Sequence, residues 1–123
     1  MGDLQETPQL RIRVVFGPGA MMGPGKAELL ERIGETGSIA AAGRDMGMSY
    51  KRAWQLVETL NAMFDAPLVV SMRGGSKGGG ATVTEAGKAV LAEYRGLEAE
   101  AQKAGGAHVS RLSGMLGDMS RGE

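Results

Sequence analysis

Apolar and polar residues alternate in the segment LRIRVVF at 10–16. Its arginines, Arg11 and Arg13, are predicted to face one way, opposite the apolar side chains of Leu10, Ile12, Val14 and Phe16. A period of two with β-branched residues is typical of a half-buried strand. The proline and glycines of GPGAMMGPG then end the strand.

The next 40 residues change to a helical period. Lys26 to Ile33 predicts a short amphipathic helix, and Ser38 is a predicted N-cap for a second, alanine-rich helix. Ser49 is an N-cap for a longer helix over 50–64. That helix carries a clear apolar stripe, formed by Tyr50, Ala53, Trp54, Val57, Leu60 and Phe64.

A glycine-rich segment at 73–80 separates two short strand-like runs, 68–72 and 81–84. Thr84 caps a last long helix, and Glu85 in its first turn complements the helix dipole. The apolar stripe of this helix contains Ala86, Val90, Tyr94, Leu97 and Ala101.

This order of elements predicts an α+β fold, mainly α, that is a winged helix-turn-helix with a β-hairpin wing and a C-terminal dimerisation helix. We expect a flexible N-terminus at 1–9 and the DNA-binding domain at 10–103, with the dimerisation helix at 85–103. Residues 104–123 are expected to form a glycine-rich tail that is partly disordered or weakly helical.

Charge and composition exclude several classes of function. Lys plus Arg and Asp plus Glu both number 14, so any nucleic-acid binding must come from local clusters. There is no cysteine and one histidine, His108, which argues against a transition-metal site. No catalytic set is recognisable, and we expect no enzymatic activity.

The absence of a signal peptide or membrane-span pattern predicts a cytoplasmic protein with no membrane partner.

The candidate interface is with double-stranded DNA. We expect the second helix of the motif to enter the major groove, the wing tip to contact backbone or minor groove, and two residues to contact phosphates. The residues near bases are Lys51, Arg52 and Gln55, with Tyr50 in the same turn; the phosphate contacts are Ser49 and Arg44; the wing contacts are Arg73 and Lys77.

Two segments carry a family resemblance. GSIAAAGRDMGMSYKRAWQLVETLN and GGSKGGGATVTEAGKAVLAEY resemble the N-terminal winged-helix domain of ModE-type molybdate-responsive transcriptional regulators, which is related to the LysR-type helix-turn-helix. The specific parts are the SYK-x-AW segment and the glycine-rich wing followed by T-x-x-G. The resemblance covers roughly 10–103 and implies a sequence-specific DNA-binding regulator, expected to be a repressor.

The resemblance also implies a homodimer to which the helix after the wing contributes. From the apolar stripe of that helix, which a small domain need not cover by itself, we expect Val90, Tyr94 and Leu97 at the dimer interface. Full-length members hold molybdate in C-terminal β-barrel domains, for which we expect no counterpart in this chain. We therefore expect a stand-alone domain with no cofactor of its own, which represses constitutively, binds an oxyanion by another route or depends on a separate effector-binding partner protein.

Two alternatives remain open at this stage. The glycine-rich tip offers a nest of backbone N–H groups suited to a small oxyanion-binding protein. A protein-interaction module that uses the terminal helix alone is the other alternative.

Overall fold

The computed structural model describes residues 8–72 and 80–117. Its elements are, in chain order, β1 (Val14–Gly17), β2 (Ala20–Met22), α1 (Pro24–Thr36), α2 (Ile39–Asp45), α3 (Tyr50–Met63), β3 (Val69–Met72), β4 (Gly80–Val83) and α4 (Glu85–Gly114). β1 pairs antiparallel with β2, and β3 pairs antiparallel with β4. The winged helix-turn-helix fold is confirmed.

Local capping explains where the helices begin. The hydroxyl oxygens of Ser38, Ser49 and Thr84 accept hydrogen bonds from the backbone N–H groups of Ala41, Arg52 and Gly87, each at 3.0 Å. Each cap satisfies one of the N–H groups that a helix start leaves without an intrahelical partner. All three N-caps predicted from the sequence are therefore confirmed.

The core lies where α1, α3 and the wing meet. Its largest fully buried side chains are Leu29, Leu30, Ile33, Val57, Leu60 and Leu68. The β4 strand joins this core through the turn after α1, since the N–H of Ala81 donates to the carbonyl of Gly37 at 2.9 Å. Gly37 has a φ of 71°, a left-handed conformation that glycine adopts without strain.

The N-terminal strand differs from its prediction. Only Val14–Gly17 is a strand, and it forms a hairpin with β2, which the sequence analysis did not predict. Phe16, predicted to face inward, is 60% exposed, although its ring packs edge-on against Phe64 with centroids 6.4 Å apart. A two-stranded hairpin at the edge of a small domain has little core on which to bury a large side chain.

The last helix is longer than predicted. α4 continues past Lys103 to Gly114, so that its 30 residues extend for about 45 Å. Gly105 and Gly106 do not end the helix, and neither of them adopts a positive φ. Glycine lowers helix propensity but does not forbid the helix. Within α4 only Gly87 and Tyr94 are buried, so the distal half is exposed on most sides.

In the part of the chain that the structure describes, no helix is long and apolar enough to cross a bilayer.

Candidate nucleic-acid interface

The two helices of the motif are held close together at their crossing. Gly43 of α2 lies against Ala53 of α3, and a Cβ at Gly43 would be only 2.7 Å from the Cβ of Ala53. The N–H of Met48 donates to the carbonyl of Gly43 at 2.9 Å, and Gly47 in the turn has a φ of 74°. These contacts fix the orientation of α3 on the domain.

The exposed side of α3 carries the predicted base-reading residues. Lys51, Arg52 and Gln55 are all exposed, while Ala53 and Val57 point into the core. The structure thus brings the three polar side chains to one open face at the start of the helix. A helix presented in this way is suited to the major groove.

The two aromatic residues of α3 lie at the edge of that face. Tyr50 is 59% exposed and contacts Trp54 edge-on, with ring centroids 6.2 Å apart. Trp54 is partly buried and packs against the core. Tyr50 is the first helical residue, so the buried stripe begins one turn later, at Ala53.

The predicted phosphate contacts are also exposed. Arg44 lies in the last turn of α2, where a cation complements the helix dipole. The hydroxyl of Ser49 caps α3 and retains its proton as a donor. Arg73 and Lys77, predicted at the wing tip, lie outside the described residues.

The base of the wing is anchored to α3 by Asn61. Its amide oxygen accepts from the N–H groups of Leu68 and Val69 at 2.8 and 3.0 Å, and its NH₂ donates to the carbonyl of Val69 at 2.9 Å. These three hydrogen bonds tie α3 to the start of β3. This role of Asn61 was not predicted from the sequence.

Lys26, in the first turns of α1, has a lowered pKa. Burial, and then the positive charges of Arg52 and Arg13, lower it. Lys26 also donates a hydrogen bond to the carbonyl of Met21 at 2.7 Å.

The predicted dimer residues lie on α4, beside an apolar groove that Phe64 at the end of α3 also lines. An apolar groove of about 410 Å³ runs between the β1–β2 hairpin and α4. Val90 and Leu97 line it, and Leu97 is 42% exposed. Tyr94 is only 4% exposed, and its hydroxyl donates to the carbonyl of Ile12 at 2.6 Å. Tyr94 thus packs within its own subunit, at the floor of the groove.

Within residues 8–72 and 80–117, no three His, Asp or Glu side chains come together as a possible metal site.

Residues 25–88, just over half of the chain, match the family described as bacterial regulatory helix-turn-helix protein, lysR family. The chain belongs to this family. The match extends from the start of α1 to the first turn of α4, and so contains α2, α3 and the wing strands.

Curated relatives are similar over the same region. The molybdenum-pterin-binding protein MopB of Rhodobacter capsulatus is 47% identical over 85 residues, which cover 69% of this chain and 32% of that protein. The molybdenum transport protein ModE of Azotobacter vinelandii is 38% identical over 105 residues, covering 85% and 37%. The DNA-binding transcriptional dual regulator ModE of Escherichia coli K12 is 37% identical over 81 residues, covering 66% and 31%. The chain spans about a third of the length of these relatives, and the resemblance to the ModE type is confirmed.

Proposed function

We propose that this chain is the DNA-binding unit of a molybdenum-linked transcriptional regulator that acts as a homodimer. The single observation that carries the proposal is the open polar face of α3, held by the Gly43–Ala53 contact in a lysR-family helix-turn-helix. In this function α3 lies in the major groove, with Lys51, Arg52 and Gln55 toward base edges.

The other predicted contacts take backbone roles. Ser49 and Arg44 bind phosphates on either side of the groove, and Arg73 and Lys77 carry the wing to the adjacent backbone. The link to molybdenum rests on the names of the relatives, which describe molybdenum-pterin binding and molybdenum transport. The glycine-rich tip, at which the alternative placed an oxyanion nest, lies outside the described residues, and we do not propose that function.

The dimer is supported by the groove beside α4. Its apolar lining and the exposed Leu97 offer a surface that a second copy can cover. A two-fold dimer then reads two half-sites about one helical turn apart.

The experiment that tests the DNA-binding proposal starts with a duplex selected by the wild-type protein from a random-sequence pool. Binding is measured by fluorescence anisotropy for the wild type, Lys51→Ala and Gln55→Ala. A side chain that pairs with a base should cost about 1–3 kcal/mol when removed and relax preference at one position.

Arg111→Ala is the matched control, since Arg111 is an exposed cation near the end of α4. We expect it to retain the wild-type affinity. Selection of no sequence by the wild type, or unchanged affinity in both α3 variants, would overturn the proposal.

A further inference from the structure

Tyr50 and Trp54 form an aromatic pair on one edge of α3. Their rings meet edge-on, with centroids 6.2 Å apart and planes at 78° to each other. Trp54 is partly buried and packs against the core, whereas Tyr50 is 59% exposed. Edge-to-face contact is a favoured geometry for two aromatic rings. The anchored indole therefore limits the positions that the exposed phenol ring can take.

The pair lies on the side of α3 to which the wing is attached. At about 100° per residue, the positions of Tyr50, Trp54 and Asn61 fall within about 40° of one another around the helix. Asn61 is hydrogen-bonded to Leu68 and Val69 at the start of β3. Tyr50 and Trp54 therefore continue, toward the N-terminal end of α3, the edge from which the wing departs.

Tyr50 does not share the direction of the residues proposed to read bases. The same rotation places it about 120° around the helix from the middle of the open face, which lies between Lys51 and Gln55. A side chain in the middle of that face reaches the floor of the major groove, where the base edges are exposed. A side chain this far around the helix meets the wall of the groove, which is formed by the sugar–phosphate backbone.

The side chain of Tyr50 is suited to a contact at that wall. The Cα–Cβ bonds of a helix tilt toward its N-terminus, so the first residue of α3 leans toward the start of the helix. Its phenol has one O–H donor, which a phosphate oxygen can accept, and it carries no charge. Tyr94, the other tyrosine of the chain, differs because its hydroxyl already donates to the carbonyl of Ile12 at 2.6 Å.

We propose that the hydroxyl of Tyr50 donates a hydrogen bond to a backbone phosphate on the DNA strand that passes between α3 and the wing, and that Trp54 is the residue that positions the phenol. This inference rests on the proposed function and deepens it, because it gives the aromatic edge of α3 a role separate from base reading. A backbone contact fixes the register of the protein on the duplex without reading sequence.

The first test compares Tyr50→Phe with the wild type on the selected duplex and on duplexes with single base-pair changes. Phenylalanine keeps the ring and removes only the hydroxyl. Loss of one hydrogen bond to a charged acceptor should weaken binding to every duplex by about tenfold or more. Because no cation is removed, the slope of log K against log salt should keep its wild-type value. Arg44→Ala, which removes a cation proposed to bind a phosphate, should lower that slope by about 0.9.

A scan of the selected duplex identifies the phosphate. One backbone phosphate at a time is replaced by an uncharged methylphosphonate, and the affinities of the wild type and Tyr50→Phe are measured. At the phosphate that the hydroxyl contacts, the replacement should weaken the wild type more than it weakens Tyr50→Phe. At every other phosphate the two losses should be equal. Ser110→Ala removes an exposed hydroxyl from α4 and should match the wild type throughout.

A double-mutant cycle tests the positioning role of Trp54. Trp54→Leu removes the edge-on contact and should weaken DNA binding, but it should cause no further loss in Tyr50→Phe. Trp54→Phe keeps an aromatic edge and should retain most of the affinity. A structural role alone predicts the same loss in both backgrounds. Thermal melting shows whether each variant is folded, and Tyr50→Phe, which changes no buried atom of the pair, still tests the hydroxyl if Trp54→Leu does not fold.

The outcomes separate this inference from the function on which it rests. If the wild type selects a sequence and Tyr50→Phe keeps its affinity, the phosphate contact is wrong and the proposed function stands. Wild-type affinity in Tyr50→Phe, with a lost preference at one base pair in Tyr50→Ala, would assign the ring to a base edge instead. Equal losses at every methylphosphonate would also overturn the phosphate contact. If the wild type selects no sequence, both the inference and the proposed function fail.

Discussion

Gly43 of α2 and Ala53 of α3 lie so close together that neither residue can be replaced by a larger one. The separation of 2.7 Å that a Cβ at Gly43 would have from the Cβ of Ala53 is shorter than non-bonded carbons allow. Gly43 is buried in the middle of α2, and α2 is only seven residues long. The helix-turn-helix angle therefore depends on the missing Cβ, and both helices must separate if one is added.

Gly43→Ala is expected to destabilise the domain by about 1–3 kcal/mol through overpacking, despite the higher helix propensity of alanine. Gly96→Ala is the matched control, because Gly96 is exposed in α4 and a Cβ there meets nothing within 4 Å. It should stabilise the protein by about 0.4–1 kcal/mol. Urea unfolding of the two variants measures the difference, and equal effects of the same sign would contradict the close approach.

Asn61 provides a second test of how the motif is held. Asn61→Ala leaves the buried N–H groups of Leu68 and Val69 without their acceptor. At roughly 1–3 kcal/mol for each of the two donors, the loss should be about 2–6 kcal/mol. Asn61→Asp keeps both acceptor bonds and loses only the bond donated to Val69, so its loss should be smaller. Hydrogen exchange at the amides of Leu68 and Val69 measures the effect directly. Unchanged protection in Asn61→Ala would mean that the wing does not depend on this anchor.

Tyr94 links stability to alkaline pH. Burial, and then the negative charge of Glu98, raise its pKa above the ordinary value of about 10. The folded state therefore keeps the phenol proton to a higher pH than the unfolded state does. The resulting contribution to stability is complete below about pH 10 and is lost as the pH rises through the raised pKa.

Tyr94→Phe should cost about 1 kcal/mol near neutral pH, because the carbonyl of Ile12 loses its 2.6 Å donor. The difference from the wild type should shrink as the pH rises above about 10, where the tyrosine of the wild type loses its advantage. Urea midpoints at several pH values provide the measurement. Tyr50→Phe, which removes an exposed hydroxyl, is the control near neutral pH. A gap between wild type and Tyr94→Phe that widens with pH would show that the sign is wrong.

The features that the sequence predicted best are those that short segments encode. Ser38, Ser49 and Thr84 cap their helices through bonds to N–H groups three residues away, so the signal and its effect lie in the same turn. The exposed positions of Lys51 and Arg52 likewise follow from the 3.6-residue stripe of α3. The wing strands were predicted from two apolar runs and form with nearly the expected bounds.

Features that depend on distant pairs were not predictable in the same way. Tyr94 was expected at a dimer surface because it shares a stripe with Val90 and Leu97. Its burial depends on Ile12, which is 82 residues away in the chain. The β1–β2 hairpin was not predicted, because Pro18 and Gly19 were interpreted as the end of a strand and not as the turn of a hairpin.

The apolar groove beside α4 leads to the prediction on oligomeric state. Leu97→Glu places a carboxylate on the groove rim, close to Glu93, which also lines it. If a second copy covers the groove, the carboxylate is buried without a partner in both subunits, since a two-fold interface repeats each substitution. Each 1.4 kcal/mol lost weakens the dimer about tenfold. Sedimentation velocity should then show dimers for the wild type and monomers for Leu97→Glu.

Two further variants locate the interface on α4. Ala92→Glu introduces the same charge in the same helix, at an exposed position that does not line the groove, and should leave the dimer intact. Leu112→Glu changes a side chain that is exposed in the distal half of α4, and its effect separates a contact there from one at the groove. A wild type that remains monomeric at high concentration would rule out the dimer. Monomers from Leu112→Glu together with dimers from Leu97→Glu would move the interface from the groove to the far end of the helix. In that arrangement the far end of α4 would set the separation between the two α3 helices. The expected distance between the two half-sites on the DNA would change with that separation.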